Sequence, residues 1–161
     1  MKTMRACLAA VTVGALTACL ADQALTPSEF LNISGTAEFT ASVSKSTFAV
    51  GDTATLSFAL RNTGSDTVRL SFQIGCPILY YIKDSDANFA YPAGGVWQCP
   101  GVISNIVLAP GHSHAVTAPV RGGVPDPANV SDIVLPAGRY RAYAELTNGA
   151  GRTNVVPFTI R

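Results

Sequence analysis

The chain has 161 residues, eleven basic against ten acidic, and only 13% of its residues are charged. A composition so nearly neutral excludes a nucleic-acid-binding stripe, which needs clustered Lys and Arg. The length allows one ordinary domain whose core can form without help from disulfides, with Ser, Thr, Asn and Gly supplying most of the polar surface.

Lys2 and Arg5 precede an apolar run from Ala6 to Ala15. At about ten residues that run has the length of a secretory h-region and is too short for the roughly 20 that cross a bilayer as a helix. Leu16-Thr17-Ala18-Cys19 resembles the lipobox of bacterial lipoproteins. The resemblance implies cleavage before Cys19, acylation of that cysteine, and attachment to a membrane through lipid without a spanning segment. Residues 1–18 are then a signal peptide, and residues 19–35, with Pro27 and little periodicity, a tether. Leu20 stands where that family commonly carries Asp for inner-membrane retention, which favours the outer membrane in a host that has one. Loss of Lys2 and Arg5 leaves nine basic residues against ten acidic.

From Thr36 the pattern turns to period two, the mark of half-buried strands. Phe39, Ala41 and Val43 share one face. Leu56, Phe58 and Leu60 alternate with Thr55, Ser57 and Arg61, and Val68, Leu70, Phe72 and Ile74 with Arg69, Ser71 and Gln73. Asn62-Thr63-Gly64-Ser65-Asp66 between these two segments has the chemistry of a hairpin connection. Ile78, Tyr80 and Ile82 continue the scheme until Asp84-Ser85-Asp86. Residues 87–101 carry Pro92, Gly94, Gly95, Pro100 and Gly101, which prevent a long regular element. Strands follow at Val102 to Leu108 and His112 to Val120, separated by Pro110-Gly111. Arg121 to Ala137 reads as a long irregular stretch. Tyr140, Ala142, Ala144 and Leu146 alternate with Arg139, Arg141, Tyr143 and Glu145, and Val156, Phe158 and Ile160 mark a terminal strand. About 7–9 short strands without helical periodicity predict an all-β fold, an immunoglobulin-like antiparallel β-sandwich over residues 36–161. A small barrel is the alternative.

Of four cysteines, Cys7 leaves with the signal and Cys19 is claimed by lipid. The remaining pair, Cys76 and Cys99, is expected to form a disulfide in an oxidising compartment. Such a bond would contribute roughly 3 kcal/mol on chain-entropy grounds.

Several segments resemble the intracellular proteinase inhibitor (BsuPI) domain, a β-sandwich family. They are Leu56-Ser57-Phe58-Ala59-Leu60-Arg61-Asn62 with Gly64, Val68-Arg69-Leu70-Ser71-Phe72 and Tyr80-Tyr81-Ile82-Lys83-Asp84. Trp97, Leu108-Ala109-Pro110-Gly111 and Gly138-Arg139-Tyr140-Arg141-Ala142 complete the set. The resemblance spans about residues 45–160 and implies a sandwich fold. The family's name implies proteinase inhibition, but no inhibitory residue carries over.

Candidate functional residues are few. Cys76 and Cys99 bracket Tyr80, Tyr81, Phe89, Tyr91 and Trp97. Tyr81, Tyr91 and Trp97 could form a partner-binding face. Alternatively Trp97 plugs the core, alternation turns Tyr80 inward, and Tyr81 and Tyr91 remain the exposed pair. His112 and His114 lie at strand spacing on one face, but no third ligand accompanies them, so they read as exposed or packing residues. Asp84 and Asp86 read as turn residues that bond local backbone. The Gly/Pro-rich 121–137 loop either bridges two sheets or inserts into a partner. Asn32-Ile33-Ser34 and Asn129-Val130-Ser131 match the glycosylation pattern, by chance in a bacterial chain. The expectation is a non-enzymatic envelope module, without metal or cofactor, that binds a protein. Proteinase inhibition by loop occlusion is its named version, and carbohydrate binding through Tyr81 and Tyr91 is the alternative.

Overall fold

The computed structural model describes residues 36–125 and 132–161, so Cys19, the tether and Asn129 lie outside the described residues. Eleven strands follow in order: β1 (Ala37–Val43), β2 (Thr47–Phe48), β3 (Thr53–Asn62), β4 (Val68–Phe72), β5 (Ile78–Asp84), β6 (Phe89–Tyr91), β7 (Ser104–Leu108), β8 (Ser113–Gly122), β9 (Ile133–Leu135), β10 (Gly138–Leu146) and β11 (Val156–Ile160). One sheet has the order β1-β3-β8-β9 and a second the order β2-β11-β10-β5-β6, while β4 and β7 form a separate two-stranded ribbon.

The alternation that predicts these strands also builds the core. Leu56, Phe58 and Leu60 of β3, Ala118 and Val120 of β8, Ala142 and Ala144 of β10, and Phe158 and Ile160 of β11 meet between the sheets, with Val68, Leu70 and Phe72 from the ribbon. Phe58 stacks on Tyr80 of the opposite sheet at 5.3 Å between centroids. The chain is an all-β sandwich, and its order β11-β10-β5-β6 with β2 at one edge is immunoglobulin-like.

Four features differ from the sequence reading. The turn at residues 62–66 closes no hairpin, because β3 pairs with β1 and β8 while β4 leaves for the ribbon with β7. Strands β2, β6 and β9 add to the expected number, being two or three residues long, too short for alternation to register. Pairing is antiparallel in the interior, but β2 joins β11 and β9 joins β8 in parallel. The first arises because the chain changes sheets within residues 44–46 without reversing. The 121–137 stretch is not irregular throughout. Arg121 and Gly122 end β8, and Ile133, Val134 and Leu135 form β9, all three buried. Burial on both sides removes the apolar/polar contrast on which alternation depends.

Two side chains fasten the turns. The Asn62 carboxamide, fully buried, donates to the carbonyls of Asp66 at 2.7 Å and Leu108 at 2.9 Å and accepts from the Gly64 amide at 2.9 Å. A Cβ on Gly64 would meet Thr36 Oγ1, so any larger residue there must displace the Thr36 side chain. Asn154 closes the outer edge of β1, accepting from the Ala41 amide at 2.8 Å and donating to its carbonyl at 3.1 Å. Both bonds satisfy groups that an edge strand otherwise leaves open.

Near the start of β10 the Tyr140 hydroxyl donates to the Pro136 carbonyl at 2.9 Å. This is the tyrosine corner of immunoglobulin-like sandwiches, and it explains the Gly-x-Tyr segment: a side chain on Gly138 would press on the Tyr140 ring. Tyr140→Phe is expected to lose about 1 kcal/mol of stability. A thermal melt unchanged by the substitution would show that the hydroxyl is not needed.

Candidate functional site

Cys76 and Cys99 are bonded, with Cα atoms 5.6 Å apart. The bond draws residues 92–101 back across the edge of β5. Strand β6 pairs with β5 at Ile82 and Lys83. Beyond that pairing, the Trp97 indole N–H donates to the Tyr80 carbonyl at 3.1 Å. Trp97 meets Tyr80 edge-on at 4.7 Å and Tyr91 at 5.5 Å, and Tyr80 stacks on Tyr91 at 5.7 Å. This half-buried trio extends the core stack begun by Phe58.

The structure therefore separates the predicted partner-binding residues. Tyr91 and Trp97 lie together on the inner side of the second sheet, while Tyr81 lies on its outer side. Tyr91 turns inward because the β5–β6 register shifts between Ile82 and Lys83, which sets Tyr91 beside fully buried Ile82 and Phe89 beside Lys83.

Tyr81 sits opposite Tyr143 of β10. Their rings stack at 5.3 Å, and Phe89 tilts against Tyr81 at 5.6 Å. In the next row Lys83 stands directly opposite Arg141. Lys83 Nζ lies 4.3 Å from the centre of the Phe89 ring, and the Arg152 guanidinium lies 3.7 Å from that of Tyr143, both at cation–π distance. Arg152 also faces Glu145 at 3.8 Å, with both side chains more than 40% exposed, so this ion pair contributes little. Lys83, Arg141, Arg152, Tyr143, Asp84 and Val155 border a shallow depression of about 160 Å³. That is smaller than the roughly 300 Å³ at which small-molecule sites begin.

The phenols on this sheet resist ionisation. Burial, then hydrogen bonding to and repulsion from Tyr91, pushes Tyr80 far above the ordinary tyrosine value of 10.0. Burial and then Glu145 raise Tyr81, and burial and then Asp84 raise Tyr140. Burial outweighs the opposing Arg152 charge at Tyr143, which is raised too. The folded chain thus holds phenolic protons that the unfolded chain releases above pH 10.0. Stability is expected to be unaffected by these groups below that pH and to fall as pH rises past it. Phenolate absorbance recorded beside circular dichroism checks this. Full tyrosine ionisation with native dichroism intact would refute it.

The remaining candidates fall elsewhere. His112 precedes β8 in an exposed turn, where its carbonyl accepts from the Asn62 amide at 2.9 Å, while His114 is half-buried on the inward side of β8. They do not share a strand face, and no third ligand joins them among the described residues. Asp84 does bond its own turn, accepting from the amides of Asp86 at 3.0 Å and Asn88 at 2.9 Å and from the Asn88 side chain at 3.3 Å. Of the 121–137 loop, residues 126–131 lie outside the described residues.

Sequence reasoning missed Lys83, Arg141, Tyr143 and Arg152. Part of the signal was present, since alternation sets Arg139, Arg141, Tyr143 and Glu145 opposite the core face of β10. What alternation could not supply was β5 as the neighbour of β10.

No protein-family model matches the chain, and no curated protein matches it. Solved structures similar to it include the β-glucosidase EmGH1 from Erythrobacter marinus, at TM-score 0.43 and 16% identity, covering 78% of this chain and 15% of that one. The alkylpurine DNA glycosylase AlkC of Pseudomonas fluorescens, bound to DNA with an abasic site analog, gives TM-score 0.44, 15% identity and coverage of 79% and 31%. The CARDB domain of PF1109 from Pyrococcus furiosus, in complex with di-metal ions, gives TM-score 0.41, 12% identity and coverage of 78% and 89%. The chain spans less than a third of the first two proteins and most of the third. Their activities differ from one another, and none transfers to this chain.

Proposed function

We propose that this chain is a non-enzymatic, protein-binding module of the bacterial cell envelope, anchored by lipid on Cys19 and using the outer face of its second sheet. The contrast between the two outer faces carries this reading. On the first sheet β3 turns Thr53, Thr55, Ser57, Ala59 and Arg61 outward, and β8 sets Ser113, Ala115, Thr117, Pro119 and Arg121 beside them. On the second sheet the corresponding positions are Tyr81, Lys83 and Phe89 against Arg141, Tyr143 and Glu145. Aromatic residues and arginine are enriched at protein interfaces and carry much of their binding energy. The first face has Arg61 and Arg121 at its two ends but no aromatic side chain at these positions.

The disulfide is compatible with export, and among the described residues no helix is long and apolar enough to cross a membrane. Inhibition of a protease, with loops near the disulfide lobe occluding its cleft, is the version motivated by the sequence resemblance.

A photoreactive phenylalanine analogue placed at Tyr81 in the full-length chain, in intact envelopes, is expected to yield a protein adduct, and the same analogue at Thr117 none. Equal labelling from both positions, or none from Tyr81, refutes the assignment of the face. Titrating the purified full-length chain against envelope and secreted proteases tests the inhibitory version, which fails if none is inhibited at high micromolar excess.

A further inference from the structure

Lys83 and Arg141 are directly opposed across β5 and β10. Like charges at that position destabilise a sheet, and the one acid bordering the depression, Asp84, is bonded within its own turn. Lys83 Nζ lies over the Phe89 ring with no carboxylate partner among the described residues, while the Arg152 guanidinium lies over the Tyr143 ring and faces Glu145 at 3.8 Å. The Arg141 side chain borders the same depression with no hydrogen bond or ion pair among the described residues. One acid, Asp84, borders the depression, and a second, Glu145, flanks it beside Arg152. The Asp84 oxygens accept three bonds from their own turn, and Glu145 lies 3.8 Å from Arg152. Rings seat Lys83 and Arg152, and the Lys83 ammonium and Arg141 guanidinium have no carboxylate partner among the described residues, an arrangement preorganised for an anion.

We infer that the protein partner presents an acidic segment, and that one of its Asp or Glu carboxylates seats among Lys83, Arg141 and Arg152. This rests on the protein-binding reading above. Three observations favour a carboxylate side chain over a sugar acid. The depression, about 160 Å³, suits one side chain. The ring faces of Tyr143 and Phe89 are covered by Arg152 and Lys83. Tyr81 stacks on Tyr143 and meets Phe89 at a tilt, so of these rings Phe89 alone is exposed, at 38%, and Lys83 already lies over it. The chain after Cys19 has no excess of basic residues, so attraction for an acidic peptide must be local to this face.

The probe is a capped deca-glutamate peptide, titrated at low salt into isotope-labelled full-length chain, with a neutral Gly-Ser peptide and polygalacturonate in parallel. Amide shifts are expected at Lys83, Arg141, Tyr143 and Arg152 with deca-glutamate alone. Lys83→Gln with Arg141→Gln is expected to weaken binding about tenfold or more, as removal of charge-assisted bonds does. Arg121→Gln, which removes one charge from the opposite face, leaves binding unchanged. Arg141→Gln alone is expected to melt no lower than the parent, because it relieves repulsion. The inference is overturned by absence of localised shifts up to about 1 mM peptide, by equal loss in Arg121→Gln, by a lower melting temperature for Arg141→Gln, or by tighter binding of polygalacturonate at the same residues. A crosslink from position 81 that persists undiminished in the Lys83→Gln, Arg141→Gln chain removes the acidic chemistry but keeps the protein-binding reading. Absence of any crosslink removes both.

Discussion

Asn62→Leu is expected to destabilise the domain by about 3 kcal/mol, because it strips partners from three backbone groups at once. The side chain is fully buried and bonds Gly64 within its own turn, Asp66 just before β4, and Leu108 at the end of β7. Leucine fills similar volume, so packing alone would change little. The cost comes from the carbonyls of Asp66 and Leu108 and the amide of Gly64, of which the Leu108 carbonyl lies where water reaches poorly. Against a typical total of about 5–15 kcal/mol this is a large fraction. Urea unfolding should show the midpoint falling by about 1–2 M at constant slope. Asn62→Asp separates hydrogen bonding from shape. Its second oxygen would replace the donor nitrogen and face two carbonyls, raising the carboxyl's pKa in the fold. The protonated form would be tolerated at low pH, and stability would fall as pH rises above the ordinary Asp value of about 3.9. An Asn62→Asp chain as stable as the parent at pH 7 would show that the buried carboxamide is not what holds the turn.

Opening the Cys76–Cys99 bond is the second large effect. The residues are 23 apart in sequence, and a loop of that size is expected to contribute about 3 kcal/mol by constraining the unfolded chain. The loss should be local before it is global. Residues 92–101 are held to the second sheet by the disulfide, by the Trp97 bond to the Tyr80 carbonyl, and by the ring contacts of Trp97 with Tyr80 and Tyr91. Trp97 is the single tryptophan, so its emission reports on this lobe alone. Reduction, or Cys76→Ala with Cys99→Ala, should shift the emission to the red at denaturant concentrations where far-ultraviolet dichroism is still native. Reduced protein that keeps both the emission and the unfolding midpoint of the oxidised form would mean that aromatic packing suffices to hold the lobe.

The legible part of the fold was the part with long half-buried strands. β3, β8 and β10 each run nine or ten residues with one face buried, which gives alternation enough repeats to stand out. β6 is three residues long, and β9 is buried on both sides, so neither could show a pattern. The aromatics between the cysteines were legible as a group but not as a surface. The register shift at Ile82 and Lys83 divides them, sending Tyr91 inward with Trp97 and leaving Tyr81 and Phe89 outside.

By itself the sequence determined which residues of the long strands turn inward and where the chain bends between them, because these depend on neighbours two to five positions away. Tertiary structure alone decided that β5 lies beside β10, and with it that Lys83 faces Arg141, that Tyr81 stacks on Tyr143, and that Arg152 folds over the same ring. Strand order is set by how two sheets close over a shared core. That is a property of the whole chain, and no local pattern of residues records it.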